Sequence, residues 1–132
     1  MAGTAAWRRK GIDEVYGADE VVARLAAELP RWRFEDGCLV RRFATGGWKS
    51  TLMAVNTVGH LAEAAWHHPE LVVSYAALVV RLATHSPPGI TERDFALARK
   101  IEEVLMWQPG REAAPVLEGT PDDARFKYLE YD

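Results

Sequence analysis

The chain has 132 residues, a formal net charge of −3, and a composition 48% hydrophobic and 27% charged. That is the length of one domain with an ordinary apolar share, enough for one core. The mild acidity gives no electrostatic reason to expect nucleic acid or an anionic membrane as a partner. The single cysteine, Cys38, leaves no intrachain disulfide and fits a reducing compartment, so a cytoplasmic protein is expected. No apolar run follows the charged N-terminus, as a secretory signal would require. The longest run, Leu71 to Ala83, is too short to span a bilayer.

Residues 1–18 carry no clear period and read as an arm pinned by Trp7 or Tyr16. Asp19 is a good N-cap for a first helix, with Val21, Val22, Leu25, Ala26 and Leu29 on one face and Pro30 as its stop. Asp36-Gly37 between two short β-compatible runs signals a hairpin. A second helix is predicted from about Trp48 to Trp66, ending near His67 because Pro69 disfavours helical geometry at His68. Its core stripe reads Leu52, Val55, Gly59, Ala62 and Trp66.

Leu71–Tyr75 and Leu78–Thr84 are rich in β-branched residues and read as two strands, with His85 at the end of the second. Thr91 is an N-cap for a third helix reaching about Met106, with Asp94 at its third position. Prolines and glycines then mark an irregular tail, 107–132. It closes on Phe126, Tyr128 and Tyr131, aromatics expected to pack on the domain or on a partner. Two short strand pairs cannot bury a face alone. The expected fold is therefore α+β: a four-stranded antiparallel sheet with three helices packed on one face, plus the C-terminal tail.

Three of the four histidines, His67, His68 and His85, fall between Glu63 and Asp94. Histidine is the side chain suited to giving and taking protons near neutral pH, so the group could form a two-ended acid/base site. Glu63 and His67 are four residues apart, which puts a carboxylate beside an imidazole on one helix face. Each residue also has a plainer reading: a helix-end histidine bonded to a carbonyl, a surface ion pair, a helix-start aspartate, a core tryptophan at Trp32. A zinc site could draw on His60, His67, His68 and His85, but no motif with established ligand spacing supports it, and no metal is expected. Cys38 reads as packing.

Taken together, Glu63, His67-His68-Pro69, Tyr75, His85 and Asp94 resemble the pattern of the pterin-4a-carbinolamine dehydratase family. Leu29-Pro30-Arg31-Trp32 and Arg93-Asp94-Phe95 are similar to its flanking motifs, and the resemblance spans roughly residues 19–106. It implies dehydration of a 4a-hydroxytetrahydropterin to the quinonoid dihydropterin, without cofactor, in the recycling that serves aromatic amino acid hydroxylases. It also implies His67 and His85 as the acid/base pair, and His68, Glu63, Asp94 and Trp32 as substrate-binding or orienting residues. A homodimer or homotetramer is implied as well. Trp66 departs from the family, where a small or polar residue is common before the histidine pair, and the tail from 107 lies beyond the family core. A non-catalytic scaffold acting as an assembly factor or dimerisation cofactor is the alternative.

Overall fold

The computed structural model describes residues 7–131. In chain order these form α1 (Ala18–Glu28), β1 (Arg33–Glu35), β2 (Cys38–Ala44), α2 (Trp48–Ala65), β3 (Glu70–Ser74), β4 (Ala77–Leu82), β5 (Thr84–His85), β6 (Pro88–Gly89), α3 (Glu92–Leu105) and a 3₁₀ turn (Pro109–Arg111). β1, β2, β4 and β3 lie side by side in that order, every pair antiparallel; β5 and β6 make a separate short ladder. Asp36 and Gly37 both have positive φ, 50° and 75°, which is what a two-residue hairpin turn between β1 and β2 demands.

Strand alternation explains which face is covered. Leu39 and Phe43 of β2 and Leu78, Val80 and Leu82 of β4 share one side, by register, and all are buried. The same core cluster takes Val21 and Leu25 from α1, Ala54 and Val58 from α2, and Phe95, Ala98 and Ile101 from α3. One core on one sheet face gives the three-helix layer expected from the sequence. Arg41 sits on that covered face, where it bonds Glu102 of α3 through Nε–Oε1 at 2.8 Å and Nη2–Oε2 at 3.1 Å.

Two helices present a different face from the predicted one. In α1, Val22 is 57% exposed and Ala26 is exposed, while Arg24 is fully buried beside Val21 and Leu25. In α2 the buried stripe is Thr51, Ala54, Val58 and Ala62, most of it one residue back from the stripe read by period, and Leu52, Gly59 and Trp66 face outward. One residue is about 100° of helix rotation. The anchor is Thr51: its hydroxyl donates to Tyr75 O at 3.0 Å and meets Thr45 Oγ1 at 2.7 Å, which fixes the rotation where apolar side chains on both faces leave it open.

The tail packs on the domain. Leu129 is fully buried and forms a bridge with Thr45, flanked by Glu130 N–H to Ala44 O and Gly46 N–H to Tyr128 O. A Cβ on Gly46 would lie 2.1 Å from the Lys127 carbonyl oxygen, so this close approach requires glycine. Tyr128 and Tyr131 are partly buried against the core, and Phe126 stays exposed.

Candidate active site

The site begins where α2 stops. Trp66 adopts the left-handed conformation (φ 51°, ψ 46°), its N–H bonding Glu63 O at 3.2 Å while His67 N–H bonds Ala62 O at 3.1 Å. This is a Schellman cap, normally built on glycine. α2 therefore ends at Ala65 rather than near His67, and the reversal separates the two histidines. His67 turns inward: its Nε2 lies 2.6 Å from Asp94 Oδ1, and the ring is mostly shielded. His68 turns outward, its Nε2 2.5 Å from Glu63 Oε1, with both side chains largely exposed. The carboxylate beside His67 is thus Asp94, and Glu63 serves His68, because the left-handed residue breaks the i,i+4 geometry that the sequence suggested.

Asp94 is completely buried at the start of α3. A buried carboxylate is costly unless its oxygens are bonded. Oδ2 accepts from Thr84 Oγ1 at 2.7 Å and from the Thr91 N–H at 2.9 Å; Oδ1 faces His67. The two threonine hydroxyls are 2.7 Å apart, and Thr91 Oγ1 accepts from the Arg93 N–H. With Asp94 ionised, every proton has one place: Thr91 donates to Thr84, Thr84 donates to Asp94, and His67 Nε2 donates to Asp94. In that arrangement a neutral imidazole carries its remaining lone pair on Nδ1. Thr84 went unrecognised in the sequence, read only as strand; the Thr91-x-x-Asp94 capping box was legible.

His85 follows Thr84 directly, so the chain itself ties it to the buried end of this network. It pairs with Pro88 across β5–β6 and is exposed, with no side-chain hydrogen bond among the described residues. Trp32 lies elsewhere: it is buried, donates Nε1–H to Glu102 Oε1 at 2.8 Å, and stands edge-on to Phe43. Glu102 is eight residues along α3 from Asp94, about 12 Å of helix rise. Tyr75 is 71% exposed beside Gly47. Among the described residues no group of three or more His, Cys, Asp or Glu side chains could hold a metal ion. A cavity of about 740 Å³ opens instead under the tail, between Trp107, Leu117, Tyr128 and Tyr131, and contains none of the histidines.

The class this fold and site define is an α+β domain with a carboxylate-backed histidine at a helix end. The model of the family described as pterin 4 alpha carbinolamine dehydratase matches residues 14–104. The chain is 43% identical over 88 residues to a protein of Aquifex aeolicus, covering 67% of this chain and 89% of that one. It is 41% identical over 86 residues to one of Thermomicrobium roseum, covering 65% and 92%. Both are provisionally named pterin-4-alpha-carbinolamine dehydratase. The crystal structure of a transcriptional coactivator/pterin dehydratase from Brucella melitensis aligns with a TM-score of 0.63 at 29% identity, over 69% of this chain and 98% of that chain. The chain belongs to the pterin 4 alpha carbinolamine dehydratase family.

Proposed function

We propose that the protein dehydrates a 4a-hydroxytetrahydropterin to the quinonoid dihydropterin by histidine acid/base chemistry. The observation that carries this reading is the buried Asp94 bonded to His67 and locked by Thr84. A base that must take a proton needs a fixed tautomer and a partner for the charge it acquires. Asp94 supplies both, leaving His67 Nδ1 to remove the N5 proton of the pterin. His85, one residue past Thr84, protonates the departing 4a-hydroxyl. The C4a–O bond breaks, the N5 electron pair forms the new C=N bond, and water leaves; no oxidant or cofactor is needed. His68, oriented by Glu63 and by the Trp66 ring, which stands nearly perpendicular to it with centroids 5.1 Å apart, holds substrate at the open side. Trp32, buried and bonded to Glu102 within the core, is not among the substrate contacts of this reading.

The same reading divides the chain into an arm (1–18), a dehydratase-like domain (19–106) and an extension (107–132). It includes a homo-oligomer built on β3, an edge strand with Val72 and Val73 exposed. The test is a purified-protein assay on a synthetic carbinolamine. His67→Ala and His85→Ala are expected to lower kcat by about 10²–10⁴-fold with the fold intact. His68→Ala should act mainly on KM. A wild-type chain that gives no acceleration over the spontaneous reaction sinks the enzymatic reading. It would favour the second one, a non-catalytic coactivator or assembly scaffold, which the double name of the Brucella melitensis protein supports.

A further inference from the structure

The arm before α1 is built onto the residues that lead into Asp94. Tyr16 N–H bonds Ile90 O at 2.9 Å. Val15 lies against Gly89, where a Cβ would meet its methyl at 2.7 Å. Arg93 reaches Ile12 O at 2.9 Å and Asp13 at 3.1 Å. Glu92, the first residue of α3, accepts from Tyr16 Oη at 2.6 Å, from Arg24 at 2.6 and 2.9 Å, and from Arg9. The Arg24 guanidinium is itself sandwiched between Trp7 and Phe95, at 4.3 and 4.2 Å from the ring centroids. Four of the five positions from Gly89 to Arg93 are therefore held by residues 9–16, and Arg24 is completely desolvated in doing so. A guanidinium buried this way persists only with a bidentate partner, and its partner here is two residues from Asp94.

We propose that Arg24, Glu92 and Tyr16 are positioning residues for the site, holding the start of α3 so that Asp94 keeps its bond to His67. This rests on the dehydratase reading for its catalytic consequence, but its geometry does not. The helix start is the lever: Asp94 accepts the Thr91 N–H, so a shift of the first turn by a fraction of an ångström lengthens a 2.6 Å contact to His67. Displacements of about an ångström remote from the chemistry are known to cost about 10²-fold in rate.

The test uses the full chain and three variants, Tyr16→Phe, Glu92→Gln and Asp94→Asn, with ¹⁵N labelling of histidine. In Glu92→Gln the His67 Nε2 resonance is expected to move toward its position in Asp94→Asn. Tyr16→Phe, which removes one hydroxyl and spares the Arg24–Glu92 pair, should move it the same way by less. In the carbinolamine assay Glu92→Gln should lower kcat about 5–20-fold while KM changes less than twofold. A fall in Tm with the His67 resonance unmoved in both variants overturns the proposal and leaves the arm a purely structural clasp. Should Glu92→Gln not fold, Tyr16→Phe decides alone. An inactive wild-type chain defeats the dehydratase reading, and the resonance still decides the positioning role.

Discussion

Thr84 is the residue on which the site's proton order turns. It donates to the buried Asp94 and accepts from Thr91. Thr84→Val keeps the shape and removes the hydroxyl, leaving the Thr91 O–H without its acceptor and Asp94 Oδ2 with one donor fewer. An unsatisfied buried polar group costs about 1–3 kcal/mol. The expected outcome is a loss of stability in that range by denaturant titration, with kcat down about tenfold. A variant of unchanged kcat would show that Asp94 is held well enough by its backbone bond alone. The sequence placed Asp94 at a helix start and His67 at a helix end; it could not join them, because 27 residues separate the two and only the packing of α2 beside α3 closes that distance.

At the scale of elements, the informative one is the end of α2. Trp66 occupies a left-handed position with its ring 77% exposed. A Cβ there costs about 1–2 kcal/mol relative to the right-handed form, a cost glycine escapes. Trp66→Gly is therefore expected to stabilise the fold by up to about 1 kcal/mol, after the entropy that glycine adds to the unfolded chain. It also removes the ring edge against His68, so KM for the carbinolamine should rise severalfold while Tm rises by a few degrees. A lower Tm would mean that the left-handed turn costs less here than the packing of the ring contributes. Hydrophobic period identified α2 as a helix but chose a stripe about 100° away from the buried one. Trp48, Leu52 and Met53 make the outward face apolar too, and a period cannot choose between two apolar faces.

The described part of the chain is held near both of its ends. Glu92 ties the arm to α3, and its carboxyl is held down at about 2 by the hydrogen bonds from Arg24, against the opposing effect of burial, with Tyr16 and Arg9 adding to the depression. A carboxyl lower in the folded state than in the unfolded chain contributes stability above its unfolded value, near 4.5, and loses it as pH falls toward 2. In that window the unfolded chain binds the extra proton. Wild type should therefore lose roughly 3 kcal/mol between about pH 4.5 and 2 through this group, and Glu92→Gln should flatten that part of the pH–stability curve. Equal slopes in the two chains would mean that the clasp contributes little. Among the described residues β3 is an edge strand of the sheet, with Val72 and Val73 exposed. An exposed hydrophobic edge invites a second strand. Sedimentation should find an oligomer for wild type and a smaller species for Val72→Lys; a monomeric wild type refutes the pairing.

The sequence by itself determined the order of the three helices and the four strands of the main sheet, the hairpin turn at Asp36-Gly37, the capping box of α3 and the spacing of the five family positions, but not the separate β5–β6 ladder that carries Thr84 and His85. Each of these is local, set by a side chain and its near neighbours along the chain. Tertiary structure alone decided which carboxylate meets which histidine, why an arginine rather than Val22 faces the core of α1, and that Leu129 completes that core. Those outcomes depend on surfaces brought together from distant parts of the chain, where the free energy of a contact is invisible until both partners are in place.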